Sequence, residues 1–179
     1  MDPKIKKADI GTFREYKTEL LDIYVEACRN ALNQYVDAEE EGKRIENIFG
    51  EGYGFFTFLK ERLIGFLLVT LLSHDTLLPN SIKKKYPVQR SLYIAEMHIH
   101  RDYRRKGIGT QLLKAFMNDI DRKKYDYLFI RAEKNNVPAM NLYKTLGFIP
   151  NESIEEKKMR PDQKGTFAMK KQYLFQKLV

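Results

Sequence analysis

Residues 53–72 read YGFFTFLKERLIGFLLVTLL, two runs rich in aromatic and branched side chains divided by the charged triplet Lys60, Glu61 and Arg62. Two such runs around a short polar break are the signature of a β-hairpin, because side chains of this kind pack well on a pleated surface. The longer apolar run, residues 63–72, falls far short of the roughly 20 residues a bilayer-spanning helix needs, so no membrane span is expected. A sheet is therefore expected, and the rest of the chain has to be read for its other members.

Before the hairpin lies a short extended start around Pro3 and Ile5. Phe13, Leu20, Tyr24, Ala27 and Leu32 then recur at roughly helical spacing and predict one or two helices between Thr12 and Asn33. Thr12 reads as the N-cap and Glu15 as the far half of a capping box. The acidic stretch DAEEEGK, residues 37–43, is expected at a helix end or in the turn after it. Past the hairpin, a polar loop through Pro79 and Pro87 carries Lys83, Lys84 and Lys85, read as a solvated loop. SLYIAEMHIH, residues 91–100, reads as a strand, and Ile108, Leu112, Phe116 and Ile120 give a helix its apolar stripe. Another strand is expected at residues 125–132. Asn136 then reads as an N-cap, Pro138 sits in the permitted first turn, and Gly147 stands where a left-handed C-terminal residue belongs. A polar loop containing IEEKKMRPDQKG precedes a closing strand, TFAMKKQYLFQKLV. The order α, ββ, β, α, β, α, β predicts a mixed α/β fold with both hairpin and crossover connections.

At 179 residues with 43% apolar content, the chain fits one domain, residues 1–179, with room for a core. No repeat or low-complexity linker divides it. The lone Cys28 cannot form an internal disulfide, and MDPKIKKADI lacks the apolar centre of a secretory signal, so a cytoplasmic protein is expected. The net charge of +8 is spread among acids and accompanies no nucleic-acid-binding motif, so nucleic acid is not the expected partner; a small phosphate-bearing anion fits the charge better. His74, His98 and His100 show no metal-binding spacing, and no metal is expected.

That anion has a natural place in RDYRRKGIGTQLLKAF, residues 101–116, where a strand gives way to a helix. The first amides of a helix lack internal partners and the helix dipole is positive there. Gly107 and Gly109 clear the approach to the backbone, and Arg104, Arg105 and Lys106 add charge. Neither the mononucleotide P-loop nor the dinucleotide fingerprint is present, since Leu112 stands where a third glycine should. The junction suits a pyrophosphate.

What is present is R-x-x-G-x-G, from Arg104 to Gly109, and then N-x-x-A-x-x-L-Y-x-x-x-G-F, carried by Asn136, Ala139, Leu142, Tyr143, Gly147 and Phe148. Together these patterns resemble the GNAT superfamily of N-acetyltransferases, over residues 93–148; the N-terminal part that would face the acceptor has no readable motif. The resemblance implies a mixed, mostly antiparallel central sheet flanked by helices, with a strand pair splayed at the acyl-CoA site. It implies transfer of an acetyl group from acetyl-CoA to a primary amine by direct attack in a ternary complex, the acceptor being a small molecule such as a polyamine or antibiotic, or a protein or peptide amine. Backbone groups of Met97, His98 and Ile99 would then pair with the pantetheine arm. The amides of Arg104, Arg105, Lys106, Gly107, Ile108, Gly109 and Thr110 would meet the pyrophosphate, and Asn136 would touch the cofactor.

Strict alternation puts Leu92, Ile94, Glu96, His98 and His100 on one face of their strand, and a carboxylate in so apolar a strand is unusual. Glu96 is read as the general base, acting through water, with Tyr143 protonating the departing thiolate; His98 is a competing base, since its ordinary pKa suits proton transfer near neutrality. The alternatives left open are a catalytically silent acyl-CoA-binding regulatory module and a nucleic-acid-binding protein. A homodimer through the aromatic C-terminal strand, with Phe167, Tyr173 and Phe175, stands beside the option that this strand completes the chain's own sheet.

Overall fold

The computed structural model describes residues 2–178. Its strands are β1 (Lys4–Ala8), β2 (Tyr53–Leu59), β3 (Arg62–Leu71), β4 (Ser91–Ile99), β5 (Tyr127–Glu133), β6 (Ile149–Met159) and β7 (Thr166–Lys177). The helices are α1 (Ile10–Glu15), α2 (Lys17–Glu26), α3 (Ala38–Glu51), α4 (Asn80–Lys85), α5 (Ile108–Asp119) and α6 (Val137–Thr145), and a turn of π-helix, Ala27–Ala31, follows α2. The seven strands run in the order β1-β2-β3-β4-β5-β7-β6. Three of the pairings, β1 with β2, β2 with β3 and β5 with β7, are antiparallel, and β4 with β5 is parallel. This is the mixed, mostly antiparallel α/β architecture expected. No helix among the described residues is long and apolar enough to cross a membrane.

The chain gathers into two compact units: one holds the chain up to Val69, with Glu96–Asp119 and Met159–Thr166, and the other holds Thr70–Ala95, Ile120–Lys158 and the chain from Phe167. In the first, β2 is buried on both faces because its aromatic residues alternate. Phe56 and Phe58 point into a core with Phe13, Leu20, Ile23, Ile45 and Phe49, where Phe13 stacks on Phe49 at 5.1 Å and Phe49 meets Phe56 edge-on at 6.1 Å. On the other face Phe55 and Tyr53 meet Phe116 of α5 at 5.9 and 6.3 Å. A ring fully withdrawn from water contributes roughly 1.5–3 kcal/mol, so this strand is the anchor for α1 to α3 on one side and α5 on the other. Next to it, Gly65 in β3 lets the end of β4 close in: a Cβ there would lie 2.5 Å from Ile99 Cδ1 and 3.1 Å from the His98 carbonyl oxygen.

Two local expectations in this unit are corrected. Thr12 is not the cap of α1; Asp9 is, its Oδ1 accepting from the Thr12 amide and the Thr12 hydroxyl, both at 2.9 Å. The acidic stretch does not end a helix but opens the 14-residue α3. Asp37 Oδ1 accepts from the amides of Glu39 and Glu40 at 2.9 and 3.0 Å, and the three glutamates that follow sit in the first turn, where negative charge is favoured.

The second unit is built on Leu72, Leu78, Ile82, Tyr86, Tyr93, Phe129 and Tyr173. The Tyr86 ring meets Phe129, Tyr127 and Phe175 at 5.0, 5.1 and 5.3 Å. The lysine triplet is not a loop: it forms the last turn of α4, with Ile82 buried beneath it and the cations where the helix dipole is negative. The first half of the polar stretch before the last strand, residues 154–159, is likewise not loop but the end of β6. As the terminal member of the sheet, β6 shows one edge to solvent, and charged side chains there deter pairing with other chains. Because β7 lies between β5 and β6, its aromatic residues complete the chain's own sheet. Helix α6 forms as read, Asn136 Oδ1 accepting from the Ala139 amide at 3.2 Å and Gly147 closing it at φ +87°.

Candidate active site

Strand β4 changes character halfway along. Its parallel ladder with β5 runs from Ser91↔Tyr127 to Ile94↔Ile130 and stops there, although β4 continues to Ile99. Ser91, Leu92, Tyr93 and Ile94 are buried, while Ala95, Glu96, Met97, His98 and Ile99 are only half-buried. The last five residues thus keep strand geometry without a rung on that side.

In the first unit, Glu96 and His98 fall on one face, as alternation requires, and they touch: His98 Nε2 lies 2.9 Å from Glu96 Oε2. A carboxylate only accepts, so Nε2–H is the donor. The ring is held by Tyr24, edge-on at 5.2 Å, and by Phe66 at 5.4 Å. The other carboxylate oxygen, Oε1, accepts from Arg44 Nη2 at 2.6 Å. Arg44 also donates through Nε to Glu41 Oε2 at 2.7 Å and through Nη2 to the Tyr24 hydroxyl at 3.2 Å. Burial alone would lower the pKa of the Arg44 guanidinium, but Glu96, Tyr24 and Glu41 outweigh it and the net shift is upward. Burial, reinforced by the charge of Glu96, drives the Tyr24 phenol far above its ordinary range, so it remains a neutral hydroxyl. Cys28, buried just beyond α2, is raised for the same reason and is no thiolate.

Sequence reasoning missed Arg44, Glu41 and Tyr24. The signal it had was Asp37 followed three residues later by Glu40, a capping pattern that leads into Ile45 and Phe49 at helical spacing.

The basic loop in the same unit divides its cations. Arg104 turns inward: its Nε donates to the Ile99 carbonyl at 2.8 Å, and its Nη2 pairs closely with Glu26. Lys106 Nζ donates to the Asp102 carbonyl at 2.8 Å and lies over the Tyr103 ring. Arg105 is exposed and takes no side-chain partner among the described residues. Its backbone and that of Gly107 are left-handed, at φ +63° and +77°, a conformation that costs ordinary residues energy. The Gln111 amide donates to the Gly107 carbonyl, which opens α5. Among the described residues, no acceptor meets the backbone N–H groups of Arg105, Gly107, Ile108, Gly109 or Thr110 within hydrogen-bond geometry. A Cβ on Gly107 would meet nothing within 4 Å, so the backbone there is open to approach. Amides at the head of a helix, beside the exposed Arg105 guanidinium, have chemistry suited to an oxyanion.

In the second unit, Asn136 is occupied as the cap of α6 through its side-chain oxygen. Tyr143 is buried on the same helix, its ring edge-on to Phe148 at 5.9 Å. Among the described residues no cluster of three His, Cys, Asp or Glu side chains is placed to share a metal ion.

A family model described as "Acetyltransferase (GNAT) family" matches residues 17–148. An N-alpha-acetyltransferase of Sulfurisphaera tokodaii is 42% identical over 74 residues, 40% of this chain and 39% of that protein. The chain spans less than half the length of the curated relatives it matches. Among solved structures, an N-acetyltransferase from Staphylococcus aureus Mu50 superposes with a TM-score of 0.74 at 17% identity, covering 100% of both chains. The YncA protein of Salmonella typhimurium, solved with its cofactor acetyl-CoA, gives a TM-score of 0.70 at 14% identity over 100% of this chain and 95% of that one. The family model covers well over half of the chain and the fold matches those solved structures, so the chain belongs to the acetyltransferase (GNAT) family.

Proposed function

We propose that this chain is a single-domain N-acetyltransferase, residues 1–179, that transfers an acetyl group from acetyl-CoA to a primary amine by direct attack in a ternary complex. The observation that carries this reading is the head of α5, where the amides of Arg105, Gly107, Ile108, Gly109 and Thr110 meet no acceptor among the described residues and the exposed Arg105 side chain lies beside them. Their chemistry fits a pyrophosphate, and a structural neighbour was solved with acetyl-CoA. Arg104 works differently from its basic neighbours: it ties the loop to Ile99 and Glu26 and so shapes the backbone rather than meeting phosphate. The end of the ladder at Ile94 leaves Met97, His98 and Ile99 with backbone groups suited to an extended arm.

In the reaction, the amine nitrogen attacks the thioester carbon, the new C–N bond forms and the C–S bond breaks. The amine's proton passes to Glu96, through water, and the thiolate takes its proton from Tyr143; Asn136 contributes to the cofactor's binding. An α-amine of a polypeptide is the acceptor class that the relatives' names favour, and the lone buried Cys28 accords with a reducing, cytoplasmic setting.

The test is calorimetric titration with acetyl-CoA of the wild type, of Gly107→Glu and of Gly107→Ala. Wild-type binding, weakened by the alanine through backbone strain and abolished by the glutamate's bulk and charge, is the expected result. Thiol release is then followed with peptides bearing a free α-amine, with spermidine and with kanamycin. Binding without release on every amine favours a silent acyl-CoA-binding module, and absence of binding by folded wild type overturns the reading.

A further inference from the structure

Arg44 stands 52 positions before Glu96, on a helix that carries none of the family's motif residues, and it has a defined job there. Glu96 has two oxygens and each is committed: Oε1 to Arg44 at 2.6 Å and Oε2 to His98 at 2.9 Å. The carboxylate is 17% exposed and the imidazole 13%, so water reaches both only in part. Arg44 is itself fixed from two sides, by Glu41 one turn away on α3 and by the Tyr24 hydroxyl on α2, and its guanidinium lies over the Tyr24 ring. Such a multiply held fork restrains the rotamer of whatever carboxylate it grips.

We propose that Arg44 is a positioning residue for proton transfer: it holds Glu96 in the rotamer that meets His98, so that the Glu96–His98 pair, and not Glu96 alone, takes the proton from the attacking amine. This rests on the acetyltransferase reading above. Among the described residues, the charged and titratable groups facing the pair include Arg44 and Glu41 from α3, Tyr24 from α2 and Cys28 from the π-turn, and of these four Arg44 is the cation. Two interacting groups titrate as a unit. Without Arg44 the Glu96 carboxylate is free to turn away from His98, and protonated His98 then loses the anion that stabilises it.

The experiment follows the three histidine rings by NMR across a pH titration in wild type and Arg44→Met, with Arg44→Gln as the substitute should the methionine variant not fold. A fall of the His98 midpoint, with His74 unchanged and acetyl-CoA affinity retained, is the expected result; a rise overturns the inference, because Glu96 would then still meet His98 with its counter-charge gone. The low-pH limb of kcat/KM for whichever amine turns over should move to lower pH with it, and Arg44→Lys should reverse part of the shift. An unmoved His98 midpoint in a folded variant overturns the inference even if kcat falls, because a merely structural loss would lower activity without touching that titration. Wild type that releases no CoA with any amine removes the catalytic reading itself; wild type that turns over while His98 stays unmoved in the variant removes only the role given to Arg44.

Discussion

Arg44 in the first unit and Arg131 in the second are surrounded by much the same chemistry: two carboxylates, a tyrosine hydroxyl and an aromatic face. Arg131 Nη1 donates to both oxygens of Asp75 at 3.1 and 3.2 Å and to the Tyr173 hydroxyl at 2.8 Å, while its Nε lies 3.3 Å from Glu156. The Tyr173 hydroxyl in turn donates to Asp75 at 2.7 Å, and Lys158 and Lys171 approach Glu156 at 2.7 and 3.4 Å. The difference is enclosure. Arg131, on β5, is 12% exposed and its partners come from β6, β7 and the segment after β3, whereas Arg44 is 41% exposed and sits on the surface of a helix. A closed set of charges fixes how strands sit in a sheet; an open one leaves a carboxylate and an imidazole within reach of water and of an incoming amine.

The sharpest way to test that contrast is Glu96→Gln, which should lower kcat by about 10²–10⁴ with acetyl-CoA affinity and melting temperature nearly unchanged. Full activity would move Glu96 to the structural side of the comparison. Arg131→Met should do the opposite, since stripping the cation from two enclosed carboxylates costs about 3–5 kcal/mol, and chemical denaturation would report it. A variant as stable as wild type would show that Asp75 and Glu156 do not depend on Arg131.

Acid titration distinguishes the closed set more gently. Burial alone would raise the pKa of the Glu156 carboxyl, but Lys171, Lys158 and Arg131 outweigh it and hold the group below its ordinary value of 4.5. Its contribution to stability is therefore complete above that value and is lost as pH falls through the lower, folded one. Glu156→Gln should flatten the decline in urea midpoint on the acid side, and an unchanged slope would mean that other carboxylates govern it. The smallest effect belongs to Asp37→Ala, which should cost about 1 kcal/mol by uncapping the helix that carries Arg44. A loss confined to stability would show that α3 keeps Arg44 in place without its cap.

The parts of the molecule that were legible beforehand are those whose information is local. Gly107, Gly109, Asn136 and Gly147 announce backbone geometry directly, and the stripe Ile108, Leu112, Phe116 and Ile120 is buried throughout. Helix α3 and strand β6 were missed because their charges mask the pattern: three glutamates at the head of one, and the block Glu155, Glu156, Lys157 and Lys158 in the other. The grip of Arg44 on Glu96 was out of reach for another reason. It joins segments far apart in the chain, and no spacing records such a contact. The same holds for Glu26 with Arg104, where the motif identified the arginine but not the direction in which it turns.

In a saturation-mutagenesis map, positions 65 and 107 would look alike, each tolerating glycine and little else. Their intolerance has different origins, and unnatural residues would separate them. Gly107 has a left-handed backbone with open space around it, so D-alanine, whose mirror-image preference is for that region, should be accepted there and should even rigidify the loop. Gly65 has no vacancy on the side where an L-residue carries its Cβ, because Ile99 and the His98 carbonyl already fill it. Trimming Ile99 to alanine is what should make Gly65→Ala tolerable, so the two positions would emerge from a pairwise screen as a compensating couple.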